Sequence, residues 1–358
     1  MSNQSSIPST VLETLREGCV IPAHPLAITE EGSFDERHQR ALTRYYIAAG
    51  AGGLAVGVHT TQFAIHDPNV GLYEPVLNIA AEEMDHADET RERPIVRVAG
   101  VIGETRQVVR EAMLARELGY HAALLSLAAM GHANEDELIA HCHAAADVLP
   151  LFGFYLQPAV GGRVLSYEFW RRFCEIENVV AVKIAPFNRY QTLDVVRAVA
   201  DSGRVDIALY TGNDDNIVMD LVTPYHFQRE GKIAERRIAG GLLGHWAVWT
   251  HAAVRLFDEC REVVKSGGQI PPELAAKAIE ATDCNAALFD AANGFAGCIA
   301  GINQVLYEQG LLASPRLLDP NERMSPGQSD ELERVRRAYP HLMDDEFIAE
   351  HRDEWISG

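Results

Sequence analysis

Val179-Val180-Ala181-Val182-Lys183-Ile184 sets one lysine inside a run of five aliphatic residues, with Asn178 before it and Ala185-Pro186 after it. A run this short and this rich in β-branched residues predicts a strand buried on both faces, as in parallel sheets. Lysine resists such burial, because stripping water from an ammonium costs several kcal/mol. Two readings are open. The side chain can reach solvent from the strand end, or burial can lower its pKa so that the amine attacks a carbonyl.

Runs of the same kind recur at 19–23, 53–58, 95–100, 122–127, 151–156, 206–211 and, less regularly, 238–248. Segments of helical spacing lie between them, as at 35–49 and 105–118. Eight strands alternating with helices predict an α/β fold, and that count closes into a (β/α)8 TIM barrel. An open doubly wound sheet is the alternative, but no G-x-G-x-x-G or P-loop follows the first strand. The barrel and its active site are expected over 18–250, after a flexible leader at 1–17. Residues 251–358 are expected to form appended helices and an acidic tail that lies on the surface or on a partner subunit.

The chain has 358 residues, enough for a large core, and a net charge of −20 that argues against nucleic acid or an anionic membrane as partner. Six scattered cysteines show no metal-ligand spacing and read as reduced thiols of a cytoplasmic protein. The polar N-terminus has no signal-peptide pattern, and no apolar run approaches the roughly 20 residues a membrane span needs.

Side chains at the C-terminal strand ends of a barrel face its active site. By strand alternation, Val179, Ala181 and Lys183 share one face, which is taken as the interior. Leu151, Gly153 and Tyr155 share a face of the adjacent strand, and Tyr155 is expected to point inward beside the lysine, where a phenol can move protons. Across the barrel, His59-Thr60-Thr61-Gln62-Phe63 closes the second strand; its hydroxyls and amides can hold a carboxylate or simply bond within the loop. His24, His59, Gln157 and Gly212 also fall at strand ends and are candidate substrate contacts, with the satisfied structural residue as the alternative for the two histidines. Asp214-Asp215 reads as a surface or capping pair, with no metal site indicated. His132 to His143 reads as a solvated helix face.

Taken together, these stretches resemble the dihydrodipicolinate synthase / N-acetylneuraminate lyase family of class I Schiff-base aldolases. The family's GTTGE is echoed in His59-Thr60-Thr61-Gln62-Phe63, its YNxP in Tyr155-Leu156-Gln157-Pro158, its GxKE in Ala181-Val182-Lys183-Ile184, and its SGDD in Thr211-Gly212-Asn213-Asp214-Asp215. The resemblance runs from about residue 18 to residue 340. It implies that Lys183 forms an imine with pyruvate or a related 2-oxo acid, with no cofactor beyond that covalent imine. It further implies that Tyr155 relays protons, that Thr60 positions Tyr155, and that the Thr60 and Thr61 amides hold the substrate carboxylate. A homodimer or homotetramer is the implied assembly.

The departures are specific. Gln62-Phe63 replaces the family's Gly-Glu. The paired tyrosines after the fourth strand fall on Ala129 and Met130. The arginine that grips the second substrate's carboxylate falls near Val160, with Arg163 out of register. The expectation is therefore a Schiff-base lyase acting on a 2-oxo acid: either an aldolase that handles pyruvate and an aldehyde other than aspartate semialdehyde, neutral or aromatic, or a dehydratase of a 2-oxo-3-deoxy sugar acid. The competing expectation is a catalytically silent barrel that binds a metabolite for regulation.

Overall fold

The computed structural model describes residues 7–229, 231–267 and 269–358. Its ten strands are β1 (Val20–Pro22), β2 (Gly53–Val56), β3 (Val96–Val101), β4 (Ala122–Leu125), β5 (Leu151–Leu156), β6 (Val179–Ala185), β7 (Ala208–Thr211), β8 (Tyr225–Arg229), β9 (Lys232–Arg236) and β10 (Gly240–Leu243). Eight of them run parallel in the order β1-β10-β7-β6-β5-β4-β3-β2. The two ends meet through a parallel bridge between Ala23 and Ala55, reinforced by the His24 amide donating to the Ala55 carbonyl at 2.8 Å. The barrel closes there, so its own sheet has no free strand edge. This is the (β/α)8 barrel that the alternation of runs predicts.

Each barrel strand is buried on both faces, which is why the runs are continuous rather than alternating. Ile21, Ala55, Val98, Leu124, Phe152, Ala181 and Tyr210 fill the interior, whereas Leu54, Ala99, Val182 and Ile184 pack outward against the helices. Beneath the barrel, Ser9–Glu17 is a helix whose Val11 and Leu15 are buried in the interior cluster. The expected flexible leader is thus in part a plug, driven by two apolar residues one helical turn apart; positions 1–6 lie outside the described residues.

Between β7 and β10 stands the antiparallel hairpin β8–β9, which sequence reading passed over. Beyond β10 come helices at Thr250–Ser266, Pro272–Leu288, Cys298–Glu308, Gln328–Ala338 and Asp345–Ser357. The last was expected as an acidic tail, but it docks on the barrel helix Glu36–Ala48. Trp355 and Ile348 are buried, the Trp355 ring lies 5.5 Å from Tyr45, and Arg44 Nη1 donates to the Trp355 carbonyl at 2.8 Å. Charge on its outer face hid an apolar inner one. His141 likewise faces inward rather than solvent, with Nδ1 2.8 Å from Thr105 Oγ1.

Asp344 joins this tail to the barrel. Buried, it accepts hydrogen bonds from Tyr45 Oη at 2.8 Å and from the amides of His251 and Ala252 at 2.6 and 2.8 Å, the first turn of the helix after β10. Removing those acceptors leaves buried donors unpaired. Asp344→Ala should lower stability by about 2–4 kcal/mol in denaturant unfolding, with Asp344→Asn milder because it keeps one acceptor oxygen.

Candidate functional site

Lys183 lies within β6 near its C-terminal end, and its register partners are Phe154 on β5 and Tyr210 on β7. Residues paired across a parallel ladder project to the same face. Phe154 therefore shares the interior with Lys183, and the lysine Nζ sits 4.5 Å from the centre of its ring. Lys183 is only 7% exposed. Among the described residues its ammonium nitrogen has no hydrogen-bond or ion-pair partner.

Tyr155 pairs instead with Ile184 and faces outward. Its ring packs 5.4 Å from Trp170, and its hydroxyl donates to the Leu165 carbonyl at 3.3 Å and accepts from the Leu165 amide at 3.1 Å. The expectation of an inward Tyr155 is wrong, and one residue is responsible. The β5–β6 pairing runs Leu151 to Val179 and then Phe152 to Ala181, so Val180 is skipped as a bulge. Without that bulge Tyr155 would oppose Lys183; with it, every later pair moves by one and the tyrosine changes face.

The space around Lys183 is a cavity of about 50 Å³. One water needs roughly 10–15 Å³ on this measure, so the cavity holds a handful of non-hydrogen atoms. His59, Thr60, Gln157, Asp214 and Gly212 line it together with Lys183. Most of the remaining wall is apolar: Val58, Phe154, Leu156, Val160, Phe187 and, from the C-terminal helical region, Phe289 and Phe295. Cys298 also lines it, its thiol pushed far up by burial and so kept neutral.

Thr60 donates its hydroxyl to the Ala23 carbonyl at 2.8 Å, and Thr61 donates to the His24 carbonyl at 2.6 Å. These bonds fasten the loop to the end of β1, and neither threonine bonds Tyr155. The Thr61 amide is taken by the Val58 carbonyl at 2.9 Å, while the Thr60 amide has no acceptor within the described residues. Gln157 is equally unengaged: its side-chain amide lines the cavity without an internal hydrogen bond. His59 is held neutral, its pKa pushed down to about 4 first by burial and then by the charge of Lys183.

His24 does not reach the cavity. Nδ1 lies 2.8 Å from the Pro25 carbonyl, Nε2 2.9 Å from Thr43 Oγ1, and its ring sits edge-on 5.1 Å from Tyr46. Both nitrogens are satisfied in the layer between barrel and helix, and burial holds the pKa down at about 4. It is a structural histidine.

Gln62, where the family motif has glycine, adopts φ 67°. A non-glycine residue there is strained by roughly 1 kcal/mol or more. Its Oε1 accepts from the Leu318 amide at 2.6 Å, which ties the second-strand loop to the C-terminal region. Phe187 and Phe295 are also left-handed, at φ 51° and 70°, and meet edge-on at 5.7 Å over the cavity. Such outliers persist only where surrounding structure dictates them, and here they gather at the site.

Asp214 is the group that sequence reading missed. It is 5% exposed, and its Oδ1 accepts from the His245 amide at 2.8 Å. No hydrogen bond reaches Oδ2 among the described residues. The loop that carries it is clamped by buried Asp220, which accepts from Thr211 Oγ1 at 2.7 Å and Asn213 Nδ2 at 2.9 Å and pairs with Arg189. Burial lowers the pKa of Lys183 against the opposing charge of Asp214, and burial raises that of Asp214 against the His245 amide and Lys183. Both shifts favour the uncharged forms.

Ala129 and Met130 lie in a single 3-10 turn away from the cavity, and Arg163 Nη1 is spent on the carbonyls of Met130 and Ala133, both at 2.9 Å. The described residues contain no cluster of three or more His, Cys, Asp or Glu that could hold a metal. No helix among them is long and apolar enough to cross a membrane.

A parallel barrel with a desolvated, unpaired lysine near the C-terminal end of its sixth strand is the class that fold and site define. Residues 17–224 match the model of the dihydrodipicolinate synthetase family, and the chain belongs to that family. A 4-hydroxy-tetrahydrodipicolinate synthase of Bifidobacterium longum is 27% identical over 206 residues, covering 57% of this chain and 63% of that protein. The chain thus spans under two thirds of the length of that curated relative. Among solved structures, the dihydrodipicolinate synthase of Aquifex aeolicus superposes with a TM-score of 0.72 at 17% identity, covering 91% of this chain and 99% of that one. YagE of Escherichia coli K12, solved with pyruvate, gives 0.69 at 16%, covering 90% and 97%. These structural likenesses establish the fold.

Gly212 makes the lysine's position possible. A Cβ at this position would stand 2.7 Å from both Lys183 Cε and Ala185 Cβ. Gly212→Ala should cost roughly 1–3 kcal/mol of stability by overpacking. It should also cut covalent labelling of Lys183 by a small aldehyde and borohydride at least about tenfold, read by peptide mass spectrometry.

Proposed function

We propose that the chain is a lyase that forms an imine between Lys183 and the C2 carbonyl of a small 2-oxo acid such as pyruvate. The observation that carries this reading is the amine itself: buried in a small cavity, without a hydrogen-bond partner, on a barrel of this family. Desolvation favours the neutral amine, the form that can attack a carbonyl. The open Thr60 amide and the Gln157 side chain supply donors for the acid's carboxylate. Once formed, the protonated imine draws electrons from C3 and stabilises the carbanion that aldol addition, cleavage or dehydration requires. The imine is its own electron sink, and the chemistry calls for no further cofactor.

The second reactant is proposed to be uncharged and apolar. Lys183 is the one cationic side chain among the cavity-lining residues, whose walls are otherwise largely aromatic and aliphatic. A second carboxylate would be buried there without a partner, at a cost of several kcal/mol. The outward Tyr155 lends support to a second reading, a barrel that binds a 2-oxo acid without turning it over.

Incubation with pyruvate and borohydride should add one reduced pyruvate to the wild-type mass and none to Lys183→Ala. An adduct that persists in Lys183→Ala would falsify the assignment. Trapping should also stay fast at a lower pH than for an ordinary lysine, since burial lowers the pKa of Lys183. Release of pyruvate from an aromatic or alkyl 4-hydroxy-2-oxo acid separates lyase from binding protein. Val160→Arg should shift preference about tenfold or more toward acceptors that carry a carboxylate; an unchanged ratio would place Val160 outside the acceptor's reach.

A further inference from the structure

The imine reading leaves a gap, because its chemistry needs a proton carrier and Tyr155 faces away from Lys183. Four titratable side chains line the cavity: Lys183, His59, Cys298 and Asp214. Lys183 is the nucleophile. His59 is a weak base, since burial and the lysine charge hold its pKa down at about 4. Cys298 is held as a neutral thiol by its burial beside acidic groups. Asp214 differs from all three. Its carboxyl is fixed at one oxygen by the His245 amide, and its other oxygen has no partner among the described residues.

We propose that Asp214 is the catalytic acid and base of this site, taking the place that the outward Tyr155 cannot fill. This rests on the imine reading above. The reaction starts from neutral Lys183 and protonated Asp214, which carry the same total of protons as an ammonium and a carboxylate. Burial in a largely apolar cavity draws both groups toward that uncharged arrangement. The amine adds to C2, and a proton passes from nitrogen to the new oxygen to give a neutral carbinolamine. Asp214 then gives its proton to the departing hydroxyl. The C2–O bond breaks, water leaves, and the nitrogen lone pair forms the C=N bond of the iminium.

The resulting carboxylate takes a proton from C3. The C3–H electron pair becomes the C2–C3 double bond, and the C=N π pair returns to nitrogen. The products are an enamine and a carboxyl group ready for the reverse transfer. The one anchored oxygen holds the carboxyl in place, and the open one moves the proton.

The test follows the methyl signal of pyruvate by proton NMR in D2O, with borohydride trapping read in parallel by intact mass. Wild type should form the adduct and exchange its C3 protons. Asp214→Asn keeps an oxygen for the His245 amide. It should still be trapped on long incubation, with C3 exchange down about 100-fold or more. Asp214→Glu, which restores a carboxyl, should exchange at least tenfold faster than Asp214→Asn. Exchange in Asp214→Asn within threefold of wild type, or Asp214→Glu no faster than Asp214→Asn, overturns the role of Asp214 while the imine stands. Absence of any wild-type adduct overturns the imine reading, and this proposal with it. An Asp214→Asn chain that forms no adduct, beside an Asp214→Glu chain that both traps and exchanges, supports the need for a carboxyl.

Discussion

The pairing of β5 with β6 decides what this barrel can do. The skipped residue Val180 sets the phase of every later pair between the two strands, and through it Phe154 rather than Tyr155 stands beside Lys183. A bulge near the start of a strand pair is a local event in the ladder. Its effect is carried to the active end because side chains alternate with a period of two, so a shift of one residue exchanges the faces. The lysine then lies over an aromatic ring, which offers a cation weak attraction and no hydrogen bond.

Burial of ionisable groups shapes the rest of the site. A lone buried ammonium or carboxylate is costly, and the surroundings of Lys183 and Asp214 offer limited compensation: one aromatic face and one backbone amide. Each group is therefore pushed toward its neutral form. Other buried carboxyl groups have more hydrogen-bond partners. Asp220 meets Arg189, Thr211, Asn213 and Asn216, and Asp344 meets a phenol and two amides. Those carboxylates hold loops and helices in place; Asp214 is left with an open oxygen.

The C-terminal helical region is part of the site rather than an appendage. Phe289 and Phe295 close the cavity, and Gly244 permits the approach, since a Cβ there would stand 2.7 Å from Phe289 Cζ. Gln62 binds the second-strand loop to the same region through Leu318 while holding a left-handed backbone. The strain at Gln62, Phe187 and Phe295 is offset by packing and hydrogen bonds around them. Where the family motif carries glycine, this chain uses a side chain to tie that loop to the C-terminal region.

The strands were legible in the sequence because burial on both faces demands unbroken apolar runs, and Lys183 because an ammonium within such a run violates the rule that shapes it. The departures at Gln62, Ala129, Met130 and Val160 were likewise plain from residue identity. The hairpin at 225–236 was less plain, since Tyr225 and Phe227 alternate with polar neighbours over only five residues. Other features have no sequence signal at all. Asp214 and Asp215 read alike as letters, and only the loop clamped by Asp220 sends the first into the cavity. His24 and His59 both follow strand ends, yet only His59 faces the cavity, because Thr43, Gln39 and Pro25 enclose the other. The sequence by itself determined the barrel, its buried lysine and the absence of a lined-up arginine, through local composition and period. Tertiary structure alone decided which neighbours that lysine has, because strand register and loop anchoring arise from contacts between residues far apart in the chain.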